Sequence, residues 1–356
     1  LIVPYYSVIG GWVIKYLVEY FRGNAKQLAE DGYFTDFISN GVSTELCFMA
    51  FCAFTLIIIF AGVQNGIERV SKIMMPILIV LSVIIAVYSV TRPGALAGVK
   101  YFLVPNVKNF SWMTVVSAMG QMFYSLSIAM GILITFGSYM KKDTAIEDST
   151  RNVEVFDTGI AIMAGLMIIP AVFAFSGGDP NTLQAGPSLM FITIPKVFQN
   201  MGFGTVIGIV FFLLVLFAAV TSSIALTESA VSTFEDELGW GRKKATVLVG
   251  VIMLALGSLS SLGYGPLAGI KIIGMQFLDL FDFLTNSVMM PIAALLTSLL
   301  VSRVVGIDKI EDEIIHGESA FRRKKVFVVM IKYLCPVFAI IILLSSVANA
   351  LGWIKM

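Results

Sequence analysis

Ala218, Thr221 and Ser222 stand at positions i, i+3 and i+4 of one apolar stretch, so they share a face of a helix. A carbonyl and two hydroxyls on one face suit sodium, a hard cation that takes several oxygen ligands. The same spacing suits a plainer habit, in which Thr and Ser bond back to carbonyls four residues earlier. Asp157 lies in a second apolar stretch, where an ionisable group is costly and so a functional candidate. A carboxylate at the cytoplasmic start of a helix is the alternative there, and Glu154 and Asn152 stand close enough to leave the register open. A third stretch, Met119 to Lys142, reads as a membrane helix broken midway: Gln121, Ser125 and Ser127 interrupt it, and Gly131 follows. Unsatisfied backbone in hydrocarbon costs several kcal/mol, so a break survives only where it is buried or lines a cavity. Secondary transporters use such breaks to present carbonyls and helix ends to a substrate and its coupling ion. In the first apolar stretch Ile2 and Tyr6, four residues apart, share a face.

The elements that must hold these residues are membrane helices. The 356 residues are 58% hydrophobic and 13% charged, with a mean hydropathy of +0.90, a composition that places the chain among polytopic, all-α membrane proteins in contact with the lipid bilayer. A net charge of +1 gives no argument for nucleic acid as a partner. The positions of the charges say more. Arg69/Lys72, Lys141/Lys142/Arg151, Arg242/Lys243/Lys244 and the run from Arg303 to Lys325 mark four cytoplasmic loops. Cys47, Cys52 and Cys335 show no ligand spacing, and His316, the single histidine, sits in a polar loop. Histidine-based metal or acid–base chemistry is therefore not expected.

At roughly 20 apolar residues per crossing, the sequence predicts nine spans, near 1–21, 45–64, 73–91, 113–140, 155–175, 203–234, 243–262, 275–301 and 326–351. Nine crossings from a cytoplasmic start leave the C-terminus outside. The segment 177–201 is too polar at its start and too interrupted by Pro187 and Pro195 to cross, and is expected to form a re-entrant or surface hairpin. Residues 308–316 read as an amphipathic interfacial helix. No low-complexity linker divides residues 1–356, which are taken as a single membrane transporter domain.

In order and spacing, a set of motifs resembles the neurotransmitter:sodium symporters, specifically their eleven-helix bacterial branch. The motifs are Tyr5-Tyr6 with Trp12; Gly66-Ile67-Glu68-Arg69 with Lys72 and Met75-Pro76; Gly120-Gln121 with Ser125 and Ser127; Thr221-Ser222-Ser223; and Phe234-Glu235-Asp236-Glu237-Leu238. The resemblance implies a leucine-transporter-like fold of inverted repeats. It runs from the family's third helix to its eleventh, so the first two helices, one of them the second broken helix, have no counterpart in this stretch.

The resemblance also implies roles. Ser125 and Asp157 match one sodium site, and Ala218, Thr221 and Ser222 match half of another. Ile2, Tyr6, Tyr124, Ser127, Met130, Ser222 and Leu226 match the substrate lining; Tyr6 would bond the substrate carboxylate and Tyr124 would close over it. Asp282 corresponds to an outer-gate acid, with Asp279 a competing candidate, and Asp236 with Tyr139 and Ser138 to the inner gate. Glu228 is a further buried acid, with either a solvated cytoplasmic pathway or a proton-linked role. A carboxylate at Asp157 implies that chloride is not required. The expected function is sodium-coupled symport of a neutral hydrophobic or aromatic amino acid by alternating access, with sodium the only metal and no enzymatic chemistry. The alternative expectation is a non-transporting remnant or split subunit of such a symporter.

Overall fold

The computed structural model describes residues 1–179, 183, 186–318 and 320–350. Among these the chain is helical, apart from one isolated bridge between Ile272 and Met275. Residues 180–182, at the start of the expected hairpin, lie outside the described set. Among the described residues seven helices are long and apolar enough to cross a membrane: α2 (Gly41–Phe60), α3 (Val63–Val90), α6 (Ile146–Ser176), α7 (Gly204–Leu238), α8 (Arg242–Leu262), α9 (Phe277–Val305) and α11 (Lys324–Asn349). The two other expected spans are α1 (Ile2–Phe21), which is long but carries Lys15 and Glu19, and the broken pair α4 (Trp112–Ser125) and α5 (Ile132–Ser138). An amphipathic helix, α10 (Ile307–Gly317), occupies the stretch expected to be interfacial.

Two helix starts differ most from the sequence expectation. α3 begins at Val63 rather than near 73, and α6 at Ile146 rather than near 155. Hydropathy marks where hydrocarbon begins, whereas a helix continues beyond it with Arg69, Lys72, Glu147, Asp148 and Arg151 on its polar extension. At 35 residues α7 is also longer than the hydrocarbon is thick; at 1.5 Å per residue it runs about 52 Å against a core of about 30 Å.

The chain forms two compact units. The first comprises residues 1–106 and 159–278, the second residues 107–158 and 279–356. In the first, α1 is buried between α2, α7 and α8, and Tyr5, Val8, Trp12, Val13, Tyr16 and Tyr20 are almost fully enclosed. Gly11 makes that possible: a β-carbon there would lie 2.7 Å from the backbone nitrogen of Phe48. Small residues let helix backbones approach where lipid offers no hydrophobic driving force. The short helical segment Leu189–Gln199 packs onto α1 through Phe191, whose ring meets Trp12, Tyr16 and Phe34 and whose carbonyl accepts the Tyr16 hydroxyl at 2.7 Å. Its length is too short to cross, as the prolines implied.

The second unit is built from α4, α5, the first turns of α6, α9, α10 and α11. A hollow of about 480 Å³ lies among α4, α5, α9 and α11, with Met122, Phe123, Ser127, Ile134, Met330 and Phe338 among its walls.

Candidate functional site

The helix break sits where the sequence placed it. Ser111 begins α4 with a capping box, its side chain taking the Thr114 N–H while Thr114 bonds back. α4 ends at Ser125, and the backbone then turns without helical form until Gly131 opens α5. Ser127, Ala129 and Gly131 have φ values of 54°, 62° and 81°. Glycine takes that region freely, whereas for Ser127 and Ala129 it costs of order 1 kcal/mol each. Strain of that kind persists only where the surrounding structure imposes it.

At the lip of the break Ser125 Oγ donates to Asp157 Oδ1 at 2.7 Å. Asp157 stands eleven residues after the first residue of α6, about 17 Å along the helix axis. Asp157 therefore lies within the helix and not in its first turn, which holds Glu147 and Asp148. Tyr124 and Met130 flank the break and are half-buried, while Ser127 lines the hollow.

In the first unit, Tyr6 and Ser222 are joined by a side-chain hydrogen bond. Ile2 and Tyr6 are half-buried, Leu226 is buried and Ser222 is exposed. Thr221 Oγ1 donates to the carbonyls of Phe217 and Ala218, both at 3.0 Å. The plain back-bonding habit thus occurs here. It does not consume the site: a donating hydroxyl keeps its lone pairs, and a carbonyl that accepts one bond has a second lone pair.

The gate candidates fall in different settings. Asp282 Oδ1 accepts from Asn286 Nδ2 at 2.6 Å, one turn along α9. Asp236 is exposed near the end of α7, and Ser138 and Tyr139 are exposed at the end of α5. Glu228 is buried as expected, but a cation holds it where a solvated pathway was one of the expectations. It is fully buried and forms a two-pronged pair with Arg242, Nη1 to Oε1 at 3.0 Å and Nη2 to Oε2 at 2.6 Å. Arg242 also reaches the Ile59 carbonyl at the end of α2, from Nε at 3.1 Å and from Nη2 at 3.0 Å. In the sequence Arg242 stands out only as a loop charge. The short Gly239-Trp240-Gly241 turn, which brings the first residue of α8 back to α7, was the available signal.

Comparison with known proteins agrees with this architecture. A profile of the sodium:neurotransmitter symporter family matches residues 15–353. The uncharacterized sodium-dependent transporter YhdH of Bacillus subtilis is 34% identical over 98% of this chain and 77% of its own length. An uncharacterized sodium-dependent transporter of Haemophilus influenzae is 31% identical over 97% of this chain and 76% of its own. A third, MJ1319 of Methanocaldococcus jannaschii, is 28% identical over 88% of this chain and spans further, with 65% of its own length covered. Among solved structures, MhsT in complex with L-phenylalanine aligns with a TM-score of 0.84 at 33% identity, over 97% of this chain and 78% of that one. The fold is therefore the leucine-transporter-like, all-α arrangement of a multi-pass membrane protein, and the coarse function is that of a sodium-dependent transporter of a small molecule rather than an enzyme. The chain belongs to the sodium:neurotransmitter symporter family.

Proposed function

We propose that the protein carries a neutral apolar or aromatic amino acid into the cell together with sodium, by alternating access. The Ser125–Asp157 hydrogen bond carries this reading: it sets a hydroxyl and a carboxylate together beside a strained, unwound segment. Oxygen ligands of this hardness suit an alkali ion, and the carboxylate supplies the countercharge itself, so chloride has no part to play. Ala218, Thr221 and Ser222 serve the second ion. The Tyr6 hydroxyl, held by Ser222, serves the substrate carboxylate, and Tyr124, Ser127, Met130, Ile2 and Leu226 surround its side chain. No fixed charge among these residues would match a charged side chain. MhsT, bound to L-phenylalanine, is an amino-acid-binding relative with this fold, which supports the same substrate class. Asp282 would close the outer side; Asp236, Ser138 and Tyr139 would close the inner side. The basic loops face the cytoplasm and the C-terminus the exterior, an orientation that labelling of a terminal cysteine on intact cells tests.

Uptake of radiolabelled phenylalanine and leucine into proteoliposomes holding the full-length gene product decides the proposal. Accumulation is expected with an inward sodium gradient and unchanged when gluconate replaces chloride. Asp157→Asn is expected to raise the sodium concentration for half-maximal uptake about tenfold or more, the scale of one lost charge-assisted contact. Uptake indifferent to sodium, or a D157N protein with wild-type sodium dependence, refutes the proposal.

A further inference from the structure

One acid outside the sites above has a carboxylate oxygen that nothing satisfies. Glu45 lies on α2, and Ser258 of α8 donates to its Oε1 at 2.5 Å. Its Oε2 is buried and has no hydrogen-bond partner among the described residues. An unsatisfied buried acceptor is costly, more so when charged, and calls for an explanation. Glu45 also lines a hollow of about 420 Å³, whose other walls include Asn40, Leu46, Met49, Leu262 and Pro266. The terminal torsion of a glutamate is soft, so a donor entering the hollow draws Oε2 towards it while Ser258 keeps the other oxygen.

The position of the hollow selects the donor. Glu45 is four residues beyond Gly41, the first residue of α2, hence about 6 Å in from the helix end. The apolar stretch expected from the sequence begins at residue 45, so Glu45 stands at its edge, where headgroups meet the first methylenes. Val42 and Leu46 around it are 73% and 62% exposed, an apolar surface suited to acyl chains. Asn40 stands at the rim, its Oδ1 already accepting the Ser43 N–H at 3.1 Å, which leaves its NH2 group for a phosphate. A negative, donor-seeking oxygen at this depth, above an apolar wall and below an amide, complements one class of molecule.

We propose that this hollow binds a phospholipid with a primary ammonium headgroup, of the phosphatidylethanolamine class. Its N–H groups satisfy Glu45, its phosphate meets Asn40, and an acyl chain lies along Leu46, Met49 and Leu262. Phosphatidylcholine is the discriminating comparison, because its quaternary nitrogen is positive but has no hydrogen to donate.

The test reconstitutes the intact protein in nanodiscs with equal amounts of phosphatidylethanolamine and phosphatidylcholine of identical acyl chains. Lipids retained after detergent washing are then counted by native mass spectrometry. The wild type is expected to retain the ethanolamine lipid about tenfold over the choline lipid, the scale of one charge-assisted hydrogen bond. Glu45→Gln is expected to bring the ratio near one. Leu46→Trp, which fills the hollow and leaves the carboxylate, is expected to do the same and serves should E45Q misfold; thermal midpoints in pure phosphatidylcholine report folding. Equal retention by the wild type, or a preference that survives both substitutions, overturns the proposal. Displacement of the lipid by soluble ethylammonium at millimolar concentration would assign the hollow to a free amine and overturns the lipid assignment.

Discussion

Arg242→Ala is the substitution whose cost follows most directly from the geometry. Glu228 has no exposure at all, and the Arg242 side chain is 23% exposed. Two short, parallel contacts, at 3.0 and 2.6 Å, are the arrangement in which a guanidinium is strongest and most directional. Removing the arginine deprives a buried carboxylate of its countercharge, which costs about 3–5 kcal/mol in comparable pairs. The Ile59 carbonyl loses less, because the Gly62 N–H still donates to it at 3.0 Å. Glu235, 3.6 Å from Arg242 Nη1 and partly exposed, has water as a substitute. The expected loss for R242A is therefore about 3–5 kcal/mol and comes almost wholly from Glu228. The double substitution Arg242→Met with Glu228→Leu removes both charges and is expected to recover most of the loss, since an apolar pair of similar volume is often neutral. Equilibrium unfolding in mixed micelles, run as a double-mutant cycle, measures both. An R242A protein within about 0.5 kcal/mol of wild type, or a double variant no more stable than R242A, refutes the reasoning.

Tyr6→Phe removes the hydroxyl that bonds Ser222; it is expected to raise the KM for the amino acid roughly five- to tenfold, about one net hydrogen bond, with little change in the thermal midpoint. Glu318→Ala removes the carboxylate that accepts the N–H groups of Glu147 and Asp148 at 2.6 and 3.3 Å, at the start of α6. A lost cap costs about 0.5–2 kcal/mol, so hydrogen exchange at residues 147 and 148 is expected to rise at least twofold while the middle of α6 is unchanged. The hydrogen bond from Lys196, with the charge of its ammonium, holds the Asp31 carboxyl below its ordinary value of 3.8. A depressed folded-state value means that this contact stabilises fully above 3.8 and is lost as pH falls through the lower folded value. Proteolysis of the 186–199 segment is expected to accelerate in that acid window, and Lys196→Gln is expected to remove the pH dependence. Unaltered acid sensitivity in that variant would refute the assignment.

Much of the architecture was legible because hydrocarbon is an unforgiving solvent. It admits only helices with their backbone bonds satisfied, so runs such as 45–64 and 243–262 read directly as spans. The break at Ser125–Gly131 was legible for the same reason, since Ser125 and Ser127 have no other business at that depth. The helix ends near Val63 and Ile146 were not, because outside the hydrocarbon polarity no longer separates helix from loop. α1 shows a further limit. Its sequence carries Lys15 and Glu19, yet most of it is buried, with Lys15, Arg22 and Asn24 satisfying Glu19.

Residue types and spacing alone determined that this is a many-helix membrane protein, with one helix interrupted and with hydroxyls and carboxylates at depths that require a reason. Period and hydropathy are properties of single helices, and a single chain segment reports them fully. Which groups satisfy one another was decided only by tertiary structure: Ser125 with Asp157, Tyr6 with Ser222, Glu228 with Arg242 and the Ile59 carbonyl, and Glu45 left with one oxygen unmet. Those partners lie 14 to 216 residues apart (222 − 6 = 216). The free energy of a buried polar group depends on distances of a few tenths of an ångström, and no local pattern in a sequence encodes separations across the fold to that precision.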